Sequence, residues 1–454
     1  MQSRWSAADA RAFAERYISH GEDLALRVYT SRLVGSDPAL VLHGGGNTSV
    51  KSTIRDLLGE EVAAIFVKGS GWNLDTIAPE GLPGMRLAGL RRLRHLPALS
   101  DEEMVNQQRT HLFRADAPTP SVEALLHAFL PAKFIDHSHA DSILALTNRP
   151  DGEALVREIY GDRAGIVPYV MPGFALALKA AEVNDAQADL QGLVLLKHGL
   201  FTWGETARES YERHIEMVDL AERWLAVRSR RTWTVVKAAA DPETVADVAD
   251  IADIAAELAP LLRGRLAGAS GDPDRPFRRM IVEWKGGEEI LDWVNGAALD
   301  ALARTPPLTP DHVIRTKGLP LVVSPPSTST PEAWAAKIET ALADYTRDYL
   351  TVMFSHPSVI GVLTWGFWEK RHWIPAAAYY RADWTLRPAG QVWQNLVRKT
   401  WWTDTTAQTG EQGRISLRAF LGDYEITVRS AGLEKTVPAK LDKNGAQISV
   451  ELAP

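Results

Sequence analysis

At 454 residues the chain is long enough for two or three domains of roughly 150 residues each. Its 45% hydrophobic and 24% charged residues, with a mean hydropathy of -0.15, exclude fibrous, disordered and membrane-embedded classes. Fifty basic against fifty-seven acidic side chains leave a formal charge of -7, too little positive field to make nucleic acid or a membrane surface an expected partner. With no cysteine there is no disulfide, no thiolate nucleophile and no cysteine-held zinc, so a metal must be held by histidines and carboxylates. That usage fits a cytoplasmic protein.

In chain order, the N-terminus carries Arg4, Asp9, Arg11, Glu15 and Arg16 with no apolar stretch, so a signal peptide is not expected. No run of 18 apolar residues predicts a spanning helix. Asn47-Thr48-Ser49 fits the glycosylation pattern, but without a secretory route it reads as ordinary sequence. Residues 6–226 mix helix and strand patterns, as in an α/β unit. Short strands are predicted over 64–67, 134–139 and 193–197, each ending at glycine, polar or histidine positions. Thr206-Ala207-Arg208-Glu209 is a capping box opening a helix patterned by Tyr211, His214, Ile215, Leu220 and Trp224. Beyond the basic run 228–231, an acidic, alanine-rich helix over 241–262, a loop over 264–275, a strand over 280–284 and a helix over 292–304 are expected. The segment 325–331 (Pro-Pro-Ser-Thr-Ser-Thr-Pro) reads as a linker. After it, seven of the fifteen tryptophans fall between Trp365 and Trp402. The last forty residues alternate with period 2, with Asn444-Gly445 as a hairpin turn, which predicts antiparallel β structure.

Asp136-His137-Ser138-His139 carries the strongest chemical signal. Side chains two apart on a strand share a face, so His137 and His139 can reach one ion. His198 follows the apolar run 193–196 and precedes Gly199, at another strand end. Three nitrogens and an open position describe a catalytic rather than a structural zinc site. Glu123 opens a helix patterned by Leu125, Leu126 and Phe129; it either complements the helix dipole or, facing a metal, acts as an acid or base. The glycine-rich segments 43–49 and 68–72, with hydroxyl and amide donors beside them, can form an anion nest. Neither fits a nucleotide-binding spacing.

Gly46-Asn47-Thr48-Ser49, Lys68-Gly69-Ser70-Gly71, Pro120-Ser121-x-Glu123, His137-x-His139 and Lys197-His198-Gly199 occur in the order found in the class II aldolase/adducin family, which the chain resembles over residues 20–230. Gly44-Gly45-Gly46-Asn47-Thr48-Ser49 and the run 309–317 (Thr-Pro-Asp-His-Val-Ile-Arg-Thr-Lys) are similar to the aldolase half of bifunctional rhamnulose-1-phosphate aldolase/short-chain dehydrogenases. The resemblance implies a three-layer α/β/α module around a mostly antiparallel sheet, assembling as a homo-oligomer. It implies Zn2+-dependent retro-aldol cleavage of a ketose 1-phosphate to dihydroxyacetone phosphate and an aldehyde. On this resemblance His137, His139 and His198 are the zinc ligands, and Glu123 moves the proton at the carbon beside the carbonyl. Gly46, Asn47, Ser70, Gly71 and Ser121 cradle the phosphate; where the family commonly has a second serine, this chain has Val122.

Residues 354–359, Trp365-Gly366-Phe367-Trp368-Glu369, His372-Trp373 and Asp383-Trp384 resemble the end of the catalytic barrel of glycoside hydrolase family 10, the endoxylanases, where the equivalents of Trp365 and Trp373 line sugar subsites. Glycosidic cleavage needs two carboxylates. The family's other catalytic segments lie upstream, where this chain has aldolase-like sequence. The expected organisation is therefore an aldolase domain over 1–230, its extension over 231–325, and a non-catalytic hydrolase-like segment over 326–454. That segment is expected to be a barrel remnant with a β-rich tail, joined by natural fusion or by gene assembly. Epimerase or dehydratase chemistry on the same metal, an adducin-like scaffolding role and an active xylanase are the alternatives.

Overall fold

A computed structural model describes residues 1–187, 189–228, 248–278, 280–315, 319–326, 330–364, 366–372 and 374–453. The basic run beyond Arg228, the start of the 241–262 helix, Thr316, Lys317, Trp365 and Trp373 lie outside the described residues. The chain divides into two compact units, Met1–Thr234 with Arg304–Pro320, and Val235–Ala303 with Leu321–Pro454.

The first unit is built on a seven-stranded sheet of order β3-β2-β1-β4-β7-β6-β5. The strands are β1 (Asn47–Arg55), β2 (Glu61–Val67), β3 (Gly84–Arg86), β4 (Phe134–Ser138), β5 (Ala164–Val167), β6 (Gly192–Leu195) and β7 (Gly199–Gly204). All pairings are antiparallel except β5 with β6. Helices cover both faces, so β4, β6 and β7 are buried along their whole length, whereas the Arg55 end of β1 and the Glu61 end of β2 are partly exposed. On one face lie α1 (Ala7–Arg16), α2 (Glu22–Gly35), α6 (Asp141–Thr147), α7 (Gly152–Tyr160) and α9 (Ala207–Arg228), packed on Val50, Phe134, Val194 and Leu200. On the other lie α3 (Leu87–Arg92), α4 (Asp101–Thr110), α5 (Ala124–Phe129) and α8 (Phe174–Ala186), packed on Ile65, Val67, Ile135, Leu193, Leu195 and Phe201. This is the expected three-layer α/β/α arrangement. The alternation Phe134, Ile135 and Leu193, Val194, Leu195 between the two cores is the strand period of two. The capping box at α9 forms with one change: the Thr206 hydroxyl accepts the Glu209 N–H at 3.1 Å, but Glu209 reaches back to the N–H of Glu205.

The same alternation sets opposite chemistries on the two faces of β4. Asp136 points toward α2 and α9, fully buried, where it is paired with the guanidinium of Arg27 and accepts from the Ser210 hydroxyl. Arg27 also donates to the Ile135 and Ser49 carbonyls at 3.2 and 3.4 Å, tying α2 to β1 and β4. His137 points the other way.

In the second unit, helices Val248–Leu266 and Pro331–Ser355 are joined by ion pairs around Glu339, which lies within 3.5 Å of Arg265, 2.8 Å of Arg381 and 3.0 Å of Arg387. The Thr330 hydroxyl caps the second helix through the Ala333 N–H. The expectation of a barrel remnant with a β-rich tail is overturned. Among the described residues no sheet closes: besides the seven-stranded sheet there are only two hairpins, β8 (Gly268–Asp272) with β9 (Arg275–Arg278), and β10 (Gly422–Ser430) with β11 (Leu433–Leu441). A barrel strand needs a partner on each edge. Residues 357–364, within the segment that resembles the end of a barrel, are not in a strand. The tail hairpin turns at Ala431-Gly432, both at positive φ, not at Asn444-Gly445, and the segments around Ile415 and Ile448 are unpaired. The expected loop over 264–275 instead contributes to the β8–β9 hairpin, and the strand over 280–284 does not form.

Candidate metal centre

His137, His139 and His198 come together from two chain segments, all buried, with one ligand atom from each lying within 4.8 Å of the others. His137 is on β4, and His139 follows one residue past its end. His198 sits in the tight turn between β6 and β7, where Lys197 takes a positive φ of 60° and the His198 N–H closes on the Leu195 carbonyl. Gly199 lets that turn lie against β4, because a Cβ there would fall 2.3 Å from the Ser138 carbonyl oxygen. His137 is stacked on Phe201, its neighbour across β4 and β7, with ring centroids 4.0 Å apart.

The protonated nitrogens point away from the cluster. His137 donates its Nδ1–H to the Leu200 carbonyl at 3.0 Å, and His139 donates its Nδ1–H to Asp311. Their Nε2 atoms then face one another at 3.1 Å. Two lone pairs that close repel unless something sits between them. Glu123, at the N-terminus of α5, completes the group: Oε2 lies 3.3 Å from His137 Nε2 and Oε1 lies 3.1 Å from His198 Nε2. The second contact is close without hydrogen-bond alignment, so Glu123 Oε1 is a buried oxygen with no hydrogen-bond partner. Converging imidazole nitrogens beside an orphaned carboxylate oxygen fit a divalent cation that accepts nitrogen and oxygen donors. The cluster is capable of coordinating a metal ion.

Glu123 is held from its other side. Asn47 Nδ2 donates to Glu123 Oε2 at 2.6 Å and to the Ser121 hydroxyl at 3.1 Å, while Asn47 Oδ1 accepts from His127 Nε2–H. The Ser49 hydroxyl in turn donates to His127 Nδ1 at 2.8 Å. Register explains the convergence, since β1 sets Asn47 opposite His137. Burial pushes His137 well below its ordinary value, so the group rests in its ligand form. Lys68, at the edge of the site, donates to the Gly44 carbonyl at 2.6 Å; burial lowers it to about 8, against the opposing pull of Asp311 and Glu123.

Two buried histidines outside the cluster give a pH prediction. Burial lowers His127 to about 3 and His214 to about 4, the latter bonded to Thr202 and Ser138 at 2.8 and 2.7 Å. Unfolded, each takes up a proton below about pH 6.5. Between that pH and the folded values the unfolded chain binds more protons. Stability is therefore complete above about pH 6.5 and falls by up to about 1.4 kcal/mol per pH unit per histidine as pH drops. Urea unfolding of chelated protein from pH 7.5 to 5 should show this slope, and His214→Gln should make it shallower; an unchanged slope would contradict the assignment.

Among the expected anion-nest residues, Asn47 and Ser121 are brought beside Glu123, and Gly46 and Gly71 adopt positive φ of 57° and 78°. The N–H groups of Gly69 and Ser70 are already donated to the Gly81 and Thr119 carbonyls, and Ser70 is exposed. Sequence reasoning missed His127, a lone histidine on an apolar helix, and assigned Asp311 no role although its segment stood out.

Residues 26–225 match the family described as Class II Aldolase and Adducin N-terminal domain, and residues 253–356 match Aldolase class II, second domain. The chain is 33% identical over 327 residues to an uncharacterized oxidoreductase, YuxG, of Bacillus subtilis (strain 168), covering 71% of this chain and 45% of that protein. It thus spans less than half the length of that relative. Two shorter likenesses, each over 22% of this chain, are to anti-sigma-I factor RsgI6 of Acetivibrio thermocellus and endo-1,4-beta-xylanase 1 of Arabidopsis thaliana. They are 38% identical over 99 residues and 28% over 102, covering 12% and 11% of those proteins. The solved N-terminal class II aldolase domain of a conserved protein from Thermoplasma acidophilum is 40% identical, covering 50% of this chain and 99% of that one at a TM-score of 0.45. No helix among the described residues is long and apolar enough to cross a membrane. With its mostly antiparallel sheet between two helical layers and the family match over 26–225, the first unit carries the fold of the class II aldolase and adducin superfamily.

Proposed function

We propose that the protein is a zinc-dependent aldolase that cleaves a ketose 1-phosphate of the rhamnulose 1-phosphate type into dihydroxyacetone phosphate and an aldehyde. The observation that carries this reading is the Glu123 carboxylate lying 3.3 and 3.1 Å from two of three convergent imidazole nitrogens, an acid/base held at the rim of a metal site. His137, His139 and His198 would hold the ion. When bound, Zn2+ would supply Lewis acidity to the substrate's carbonyl and neighbouring hydroxyl oxygens.

This chain's own residues do the rest. Glu123 takes the proton from the hydroxyl on the far side of the scissile bond. The C–C bond then breaks to give the aldehyde, and its electron pair passes into the enediolate. Glu123 returns the same proton to the carbon beside the carbonyl, giving dihydroxyacetone phosphate, so no outside acid or base is consumed. Asn47 holds the carboxylate in line through its amide. Gly46, Asn47, Ser70, Gly71 and Ser121 would bind the phosphate, where binding energy can be used for orientation at the reacting carbons.

The C-terminal segment is proposed to be non-catalytic. Glu369 accepts the Ala382 N–H and lies 3.2 Å from Arg387, and Glu339 is matched by three arginines, so these carboxylates are used as structural ties and not as an acid and nucleophile pair.

The test is dihydroxyacetone phosphate release from a panel of ketose 1-phosphates, with and without chelator, at known zinc content. Chelator-sensitive release is expected. Folded, zinc-loaded protein that releases none would overturn the aldolase reading and favour epimerase or dehydratase chemistry on the same ion.

A further inference from the structure

Asp311 belongs to the short helix Pro310–Arg315, in the stretch Arg304–Pro320 that returns to the first unit after the chain has passed through the second. It is 1% exposed. One carboxylate oxygen accepts the Leu42 N–H at 2.6 Å, and the other accepts the Nδ1–H of His139, 172 residues away in sequence. One further contact anchors the stretch, Asn148 Nδ2 donating to the Leu308 carbonyl at 2.9 Å, and within the stretch the Thr309 hydroxyl bonds His312 Nδ1 at 2.9 Å. Gly45 makes the approach sterically possible, because a Cβ at that position would lie 1.9 Å from Asp311 Oδ1.

The three imidazoles are supported differently. His137 donates to a backbone carbonyl, His139 donates to a carboxylate, and His198 Nδ1 is buried without a hydrogen-bond partner. A carboxylate behind an imidazole fixes its tautomer and ring orientation and raises the basicity of the opposite nitrogen. His139 lies beyond the end of β4, so its ring is not set by the sheet as that of His137 is.

We infer that Asp311 is a positioning residue for the metal centre. It holds His139 as the Nδ1–H tautomer with Nε2 turned to the ion, so the returning stretch is a working part of a site whose ligands all lie before residue 200. This rests on the metal-centre reading above. A chain cut short before Arg304 would keep all three ligand histidines and lose this support.

The test uses the full chain and measures metal binding without turnover. Asp311→Asn keeps the shape and the Leu42 contact but can offer His139 a donor in place of an acceptor. Zinc dissociation constants from competition with a chromophoric chelator are expected to rise by about 10- to 100-fold, and the visible spectrum of the cobalt-loaded protein should change. Thr309→Val, which loosens the same stretch without touching His139, should leave both close to wild type. Zinc affinity and cobalt spectrum in Asp311→Asn equal to wild type would overturn the inference, as would an equal loss of affinity in Thr309→Val. Should Asp311→Asn not fold, imidazole nitrogen NMR of the metal-free wild type decides: an Nδ1–H tautomer at His139 is expected, and an Nε2–H tautomer overturns it. A wild-type chain that binds neither zinc nor cobalt would instead remove the metal-centre reading itself.

Discussion

Glu123→Gln is expected to retain zinc while turnover falls by about 10²- to 10⁴-fold, the range for loss of a positioned acid/base, whereas His139→Ala is expected to lose both. Glutamine keeps the length of the side chain and an oxygen that can still accept from Asn47 Nδ2, so the local packing survives. It cannot take a proton from a sugar hydroxyl or return one to carbon. Removing the His139 imidazole acts earlier, because two nitrogens remain where three converged and Asp311 is left facing an empty space. Metal content by elemental analysis, measured beside dihydroxyacetone phosphate release, separates the two effects. If both variants hold equal zinc and turn over equally, the assignments of Glu123 and His139 fail together.

The part of this site that could be read in the sequence is the part encoded at short range. His137 and His139 share a face because a strand has period two, and His198 is flagged by an apolar run ending in glycine. The two layers of helices could be expected only through family resemblance. Strands β5 and β7 went unrecognised, since burial on both faces removes the alternation that marks a half-exposed strand, whereas β1 is mostly polar and β3 only three residues long. The supports of the site were hidden for a related reason. His127 meets Asn47 across 80 residues and Asp311 meets His139 across 172, and no local pattern marks contacts fixed by tertiary register. In the C-terminal segment the alternation around Ile415 and Ile448 suggested strands, but a strand forms only where a partner supplies its hydrogen bonds. Only residues 422–441, folding back at Ala431-Gly432, do so. Local pattern overcalled there for the same reason that it undercalled in the sheet: pairing is decided by the partner.

Arg27→Met is expected to lower the stability of the first unit by about 3–5 kcal/mol, the usual effect of removing one member of a buried ion pair. Both side chains are fully buried, and without the guanidinium Asp136 keeps the Ser210 hydroxyl but has no opposite charge. The Ile135 and Ser49 carbonyls would also lose a donor. Hydrogen exchange at the β1 and β4 amides reads this unit without interference from the second. The double variant Arg27→Met/Asp136→Leu should recover much of the loss, because no uncompensated charge is left inside. A single variant as protected as wild type would show that Asp136 is satisfied without Arg27. The comparison also separates stability from chemistry. Asp136 and His137 lie on opposite faces of β4, so the double variant should regain zinc binding along with its fold, whereas His139→Ala should remain metal-free however stable the sheet behind it.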